Sequence, residues 1–254
     1  MIDILKQIKK THLSQNELGI WWLGQAGYIL KSLKFTLAID PYLSNDPRMP
    51  RLVSSPIEPE NLKVDLIVCT HDHEDHTDVE TLKVVNKKVD CQFLGPKNVV
   101  KRLKKIGIKK NRIIQLDVGD NIKIGNINLR STFCIPNEEK VLDSIGMIIT
   151  FENGISFYHT GDTGFHDFLF YLSKYDIDIM AICINGKLGN MGIDEAVRLT
   201  RYLKPCVVIP NHYGMFKHNN ADPYEFQGKL LGSFVEPECQ ILEIGKAYIF
   251  KKNT

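Results

Sequence analysis

The chain has 254 residues, 43% hydrophobic and 24% charged, a balance that suits one layered globular domain with a sizeable core. Its 32 Lys and Arg against 30 Asp and Glu leave a net charge of +2, which excludes a general electrostatic pull toward nucleic acid or anionic membrane. Six cysteines at 69, 91, 134, 183, 206 and 239 form no Cys-x-x-Cys pair, and several lie in apolar runs, so reduced, buried thiols and a cytoplasmic location are expected.

The first six residues lack the apolar core of a signal peptide, and no apolar run is long enough to span a bilayer. Residues 1 to 10 read as a short amphipathic helix. Three strands follow at 19–24, 28–31 and 35–40, with Gly24 and Gly27 bracketing a sharp turn at Gln25-Ala26, and the expected topology is a β-meander. Asp40 ends the meander. Its carboxylate reads either as an acceptor for the N–H of a metal-bound histidine or as the start of an Asp-Pro turn. Residues 44 to 61 carry four prolines and read as a loop.

Val64 to Cys69 is apolar and β-prone, and Val79 to Val89 can form a helix. Between them stands Thr-His-Asp-His-Glu-Asp-His-Thr-Asp, residues 70–78, the densest group of metal-binding side chains in the chain. Imidazole and carboxylate together suit zinc, manganese or iron. His71 and His73 alternate, so on extended backbone they point the same way; Asp75 and His76 are adjacent and can serve a second centre once the chain turns.

Residues 91–94 form a short strand and 98–106 a helix. The basic run Lys101, Arg102, Lys104, Lys105, Lys109, Lys110 and Arg112 has no interleaved aromatics, so it reads as a solvated face before a polyanion site. Segments 113–114, 122–124 and 127–130 suggest a second meander. A hairpin over 145–158 delivers His159-Thr160-Gly161-Asp162-Thr163, which sets Asp162 just past a strand end. His159 reads equally as a neighbour of a metal ligand or as a hydrogen-bonded histidine at a strand end. Further elements are expected as a helix over 167–175, a strand over 177–184, a helix over 193–203, a strand over 207–210, a helix over 222–230, and closing strands at 240–242 and 247–250. The strand at 207–210 delivers His212.

Each half runs strands first, then alternating strand and helix. The pattern predicts a single α/β domain over 1–254, a four-layer αββα sandwich with the clusters at 71–76, 162 and 212 meeting where the sheets abut.

At these residues the chain resembles the metallo-β-lactamase superfamily: His71-x-His73-x-Asp75-His76, then Gly161-Asp162-Thr163, then His212 after an apolar strand. Within it the chain is similar to the L-ascorbate-6-phosphate lactonase group. That likeness rests on Trp21-Trp22-Leu23-Gly24, Thr70-His71-Asp72-His73, Leu94-Gly95-Pro96-Lys97, Tyr158-His159-Thr160-Gly161-Asp162 and Val208-Ile209-Pro210-Asn211-His212-Tyr213. The resemblance implies the metallo-β-lactamase fold, His71 and His73 on metal 1, Asp75, His76 and His212 on metal 2, and Asp162 bridging both. The superfamily's usual further histidine for metal 1 would fall in residues 131–137, which hold none; the lactonase group shares that absence. Cys134 or Asn137 could compensate, and neither is assigned.

The implied cofactor is one or two divalent ions, zinc or manganese. The implied reaction is hydrolysis of a small ester or lactone by metal-bound hydroxide, a sugar-phosphate lactone being one option, with Asp75 as the catalytic carboxylate. A phosphodiesterase on the same fold and a non-enzymatic metal-binding module stand as alternatives. Asn185, Gly186 and Asn190 on a strand-end loop, with Tyr213, are the candidate substrate-binding residues, an ordinary turn being the equal alternative for the loop. The partner is a small-molecule substrate, with no nucleic acid and no membrane, and a homo-oligomer is compatible with the chain.

Overall fold

The computed structural model describes residues 4–135, 143–217, 219–231 and 237–253. Fourteen strands among them form two seven-stranded sheets. In the first, β1 (Glu17–Gly24), β2 (Gly27–Lys31) and β3 (Thr36–Ile39) make the expected antiparallel meander. β4 (Leu66–Val68), β5 (Gln92–Gly95) and β6 (Ile113–Gln115) then add in parallel, and the last strand, β14 (Ala247–Lys251), closes the far edge against β1.

The second sheet repeats the plan. β7 (Asn121–Ile124), β8 (Ile127–Phe133), β9 (Ile145–Thr150) and β10 (Ser156–His159) are antiparallel, and β11 (Ile179–Cys183), β12 (Val207–Asn211) and β13 (Glu238–Cys239) continue in parallel. The outer layers are α1 (Ile4–Lys10), α2 (Val79–Lys88) and α3 (Lys97–Lys105) on one side, and a 3₁₀ helix (Asp167–Lys174), α4 (Ile193–Leu203) and α5 (Pro223–Leu230) on the other. This is the αββα sandwich that the pattern predicts.

Period-two alternation builds the layers. In β1, Leu18, Ile20 and Trp22 join the core between the sheets, while Trp21 and Leu23 join a second cluster under the helices. β2, β3 and β4 divide the same way: Tyr28, Leu30, Leu37, Ile39, Leu66 and Val68 face the other sheet, and Ile29, Ala38 and Ile67 face the helices.

Three expectations need correction. Ile113-Ile114 does not open the second meander; it pairs in parallel with β5 in the first sheet, and the chain crosses between sheets only after it. The strand expected at 240–242 sits two residues earlier, at Glu238–Cys239. The segment 167–174 winds as a 3₁₀ helix. All six cysteines are free thiols, but Cys206 is exposed at the mouth of β12. Among the described residues no helix is long and apolar enough to cross a membrane.

Candidate metal centre

The parallel strands β3, β4, β10, β11 and β12 all point their C-terminal ends at one edge of the sandwich, where ligand sites of open α/β sheets collect. Each end delivers polar residues: Asp40 after β3, Thr70 to Asp78 after β4, Asp162 after β10, Asn185 after β11 and His212 after β12.

The 70–78 segment is a knot of local hydrogen bonds. The amides of His76 and Thr77 donate to the His73 carbonyl at 3.1 and 2.7 Å, which folds Asp75 and His76 back toward His71. Thr77 Oγ1 donates to the His71 carbonyl at 2.6 Å. Asp78 caps α2 by accepting from the amides of Glu80 and Thr81, and also accepts from the amides of Leu43 and Ser44.

Two triads result. The ligand atoms of His71, His73 and Asp162 lie within 4.8 Å of one another, as do those of Asp75, His76 and His212. His71 Nε2 stands 2.9 Å from His73 Nδ1. In the second triad His76 Nε2 lies 3.5 Å from Asp75 Oδ2 and 3.4 Å from His212 Nε2. Asp162 Oδ1 joins the two groups, 3.4 Å from His76 Nε2 and 3.2 Å from His212 Nε2. All six residues read as metal ligands thus meet.

Residues outside the ligand set orient it. Asp40 is fully buried; its Oδ2 lies 2.7 Å from His76 Nδ1 and accepts from Thr70 Oγ1 at 2.6 Å, and its Oδ1 accepts from the Thr70 amide at 2.7 Å. Of its two readings, acceptor for a ligand histidine is the one realised. His159 is not a ligand. Its Nδ1 accepts from the Gly161 amide at 3.1 Å and its Nε2 lies 2.9 Å from the Ala26 carbonyl, so it ties the Asp162 turn to the opposite sheet. That turn requires Gly161: at φ +70° a side chain is strained, and a Cβ would meet the Ile145 carbonyl oxygen at 2.7 Å.

The substrate residues divide. Asn190 Nδ2 donates to Asp162 Oδ2 at 2.9 Å and so orients a metal ligand. Asn185 is buried with its Oδ1 unpartnered, and Gly186 lines a surface cavity of about 480 Å³ beside the start of α4. Tyr213 requires correction. Its ring packs on Trp22 at 5.0 Å within the inter-sheet core, and its hydroxyl is buried without a partner, so it is a core residue and not a donor to substrate. The Cys134 thiol donates to the Thr160 carbonyl at 3.3 Å, burial raises its pKa well above the usual range, and it stands outside the two groups whose ligand atoms converge. Asn137 lies outside the described residues.

Gln25 and Asn219 were not legible as site residues. Gln25 Nε2 donates to Asp75 Oδ2 at 2.9 Å, and Asn219 Nδ2 lies 3.2 Å from His212 Nδ1. Backbone strain collects here too: Gln25, Asp40 and His212 all adopt left-handed φ, at +50°, +42° and +65°.

Electrostatics fit a cation. Burial pushes the His71 imidazole well below its usual pKa, with His76 adding to the effect, so it is a neutral ligand. Burial opposes charge on His76 as well, but Asp162, Asp75 and Asp40 outweigh it and raise its pKa well above the usual value. Burial also works against charge on Asp162, and the neighbouring His212 and His76 overturn it and hold the carboxyl well below the usual range. Asp162 is 5% exposed, yet its Oδ1 has no hydrogen-bond partner. An orphaned, ionised oxygen between two rings of histidine nitrogens is the arrangement a divalent ion satisfies.

Comparison with known proteins agrees. A model of the β-lactamase superfamily domain matches residues 36–213. A UPF0173 metal-dependent hydrolase of Methanosarcina mazei is 30% identical over 241 residues, covering 91% of this chain and 98% of the relative. One of Archaeoglobus fulgidus is 29% identical over 247 residues, covering 92% of this chain and all of the relative. Among solved structures, the metallo hydrolase Igni18 of Ignicoccus hospitalis superposes with a TM-score of 0.80 at 24% identity, covering 93% of this chain and 100% of that one. An isothiocyanate hydrolase from Delia radicum gut bacteria gives 0.74 at 19% identity, covering 92% and 99%. Likeness to structures at these identities speaks for the fold; the sequence relatives speak for the family. The chain belongs to the metallo-β-lactamase superfamily, among its metal-dependent hydrolases.

Proposed function

We propose that the chain hydrolyses a small lactone or related ester, with zinc or manganese bound by the two triads and a sugar-phosphate lactone as one candidate substrate. The observation that carries this reading is the shape of the centre. His71, His76, Asp162 and His212 are buried, whereas His73 and Asp75 are half-buried and form its open side. A structural ion would be enclosed on every side.

A bound divalent ion supplies Lewis acidity toward a carbonyl oxygen and lowers the pKa of water from ~15.7 toward ~7. The chain supplies the rest. Asp75 Oδ2 stands 3.7 Å from His212 Nε2 on the accessible side, held by the Gln25 amide. There it orients the attacking water, takes its proton and passes it to the alkoxide released when the acyl C–O bond breaks. Asp40 fixes the His76 ring through Nδ1, which leaves Nε2 facing the centre. Asn190 fixes the Asp162 carboxylate.

The reading includes a small-molecule partner with no nucleic acid or membrane, a cytoplasmic location supported by six free thiols, and compatibility with a homo-oligomer. It is tested by stripping the protein, reloading it with manganese or zinc, and assaying simple lactones, sugar-phosphate lactones, an isothiocyanate and an activated phosphodiester, with His73→Ala in parallel. Metal-dependent opening of a lactone is the expected result. Turnover of the phosphodiester alone would overturn the assignment.

A further inference from the structure

Gln25 sits in the turn between β1 and β2, on the first sheet and far in sequence from the ligands it touches. It is fully buried and adopts φ +50°, a left-handed conformation that strains a non-glycine residue. Its Oε1 is buried with no hydrogen-bond partner. A turn chosen for packing alone would place glycine or asparagine here and leave no amide oxygen orphaned.

What holds the residue in this state is its surroundings. Its backbone carbonyl accepts from the His212 amide and from Trp22 Nε1, each at 3.0 Å. Its side-chain nitrogen donates to Asp75 Oδ2 at 2.9 Å. The same nitrogen lies 3.1 Å from His212 Nδ1 and 3.2 Å from His212 Nε2. Near-equal distances to both ring nitrogens place the amide across the imidazole, not in line with either lone pair. Nδ1 then faces the Asn219 amide at 3.2 Å, whose oxygen must turn toward it to accept the Nδ1 proton when Nε2 serves the metal centre.

We propose that Gln25 is a positioning residue of the second triad, its amide bracing Asp75 against His212 across the junction of the two sheets. Asp75 rides on the loop after β4 and His212 on the end of β12, which belong to different sheets. The two sheets share no strand ladder among the described residues; one backbone bond, from the Ile145 amide to the Thr70 carbonyl at 3.1 Å, joins them at the start of the loop that carries Asp75, away from His212 in the chain. Gln25 fixes the separation of Asp75 and His212 twice: its carbonyl sets the backbone at His212, and its amide sets both side chains. The proposal rests on the metal-centre reading, and its effect falls on one triad only. Among the described residues Gln25 makes no hydrogen bond to His71 or His73; His71 is braced by Thr70 Oγ1 at 3.1 Å from its Nδ1.

The test uses the full-length protein, stripped of metal and titrated with manganese alone, and with zinc alone, by calorimetry. Wild type is compared with Gln25→Met, which keeps the volume and removes the amide, and with Gln25→Glu, which keeps the shape and sets a second carboxylate beside Asp75. The melting temperature of each metal-free protein is measured in parallel. Gln25→Met is expected to weaken one of two binding events by roughly 10–100-fold, the range for partners that orient a ligand, and to leave the other within about twofold. Gln25→Glu is expected to change that same event and not the other. Two events unaltered in Gln25→Met would overturn the proposal and make Gln25 a packing residue. Parallel loss of both events with a lowered melting temperature would overturn it as well, because the residue would then serve the fold and not one triad. Wild type that binds no ion would instead sink the metal reading beneath it, an outcome distinct from the other two.

Discussion

His76 and His212 each have a side chain of another segment at Nδ1, Asp40 for the first and Asn219 for the second, at 2.7 and 3.2 Å. His73 has among the described residues only the neighbouring His71. The second triad is also closer to Asp162 Oδ1 and is bridged by Gln25, while the first lacks a further histidine and receives nothing from Cys134. One sequence motif, His-x-His-x-Asp-His, thus feeds two sites of unequal preparation. Held ligands lose little freedom on binding, so the second triad is the one built to fill first.

The sharpest way to break that comparison is to remove the residue common to both triads. Asp162→Asn is expected to abolish binding at both and to lower turnover by on the order of 10³-fold, well past the 10–100-fold cost of an orienting partner. Retention of one tightly held ion in Asp162→Asn would show that the carboxylate serves a single triad. Asp40→Asn comes next. It keeps the shape but loses the charge at His76 Nδ1, and a loss of roughly 10–100-fold in affinity confined to the second triad is expected by calorimetric titration. An equal loss at both triads would show that Asp40 acts through Thr70, which it also holds, and not through His76.

Why some of this was legible in sequence and some was not follows from distance along the chain. The His-x-His-x-Asp-His motif carries its geometry locally: a turn closed by the His73 carbonyl turns adjacent residues into one cluster. Asp162 was legible because a glycine and a strand end leave a carboxylate few other jobs. Asp40 read locally first as the start of an Asp-Pro turn, and only the 2.7 Å contact to His76 turns the reading to an acceptor for a ligand histidine. Gln25 was legible as a turn alone, because its partner His212 lies 187 residues away and an amide carries no metal signal. Tyr213 shows the reverse error: adjacency to a ligand said nothing about direction, and the residue after His212 points into the core. β6 failed for a similar reason. A three-residue apolar run fits either sheet, and its parallel partner is known only once α3 has folded the chain back onto β5.

A smaller effect reads out protonation. In the metal-free protein the carboxylates around His76 raise its pKa well above the usual value. A raised imidazole contributes stability in full below the unfolded pKa near 6.5, and that stability is lost as pH rises through the higher folded value. The metal-free protein should therefore lose melting temperature on the alkaline side, and loading should remove that loss. A metal ion competes for Nε2, so binding near pH 7 is expected to release about one proton from this residue, measured by titration in buffers of different ionisation enthalpy. Absence of proton release would mean that His76 is already neutral and that Asp40, not the triad, controls its ring.

The smallest expected effect tests how isolated the first triad is. Asp72 stands between its two histidines, with its side chain turned outward into an ion pair with Arg102 on α3. Arg102 and Asp72 are 27% and 32% exposed, so the pair is only partly shielded and contributes on the order of 1 kcal/mol or less. Burial also raises the Asp72 carboxyl, which tempers the charge available to the pair. Arg102→Ala should therefore weaken the first triad less than about fivefold and leave the second unchanged. A larger loss at the first triad would mean that His73, which among the described residues has no side-chain partner beyond His71, is aimed from α3 through the loop between them. The two sites would then differ in where their support comes from and not in how much they have.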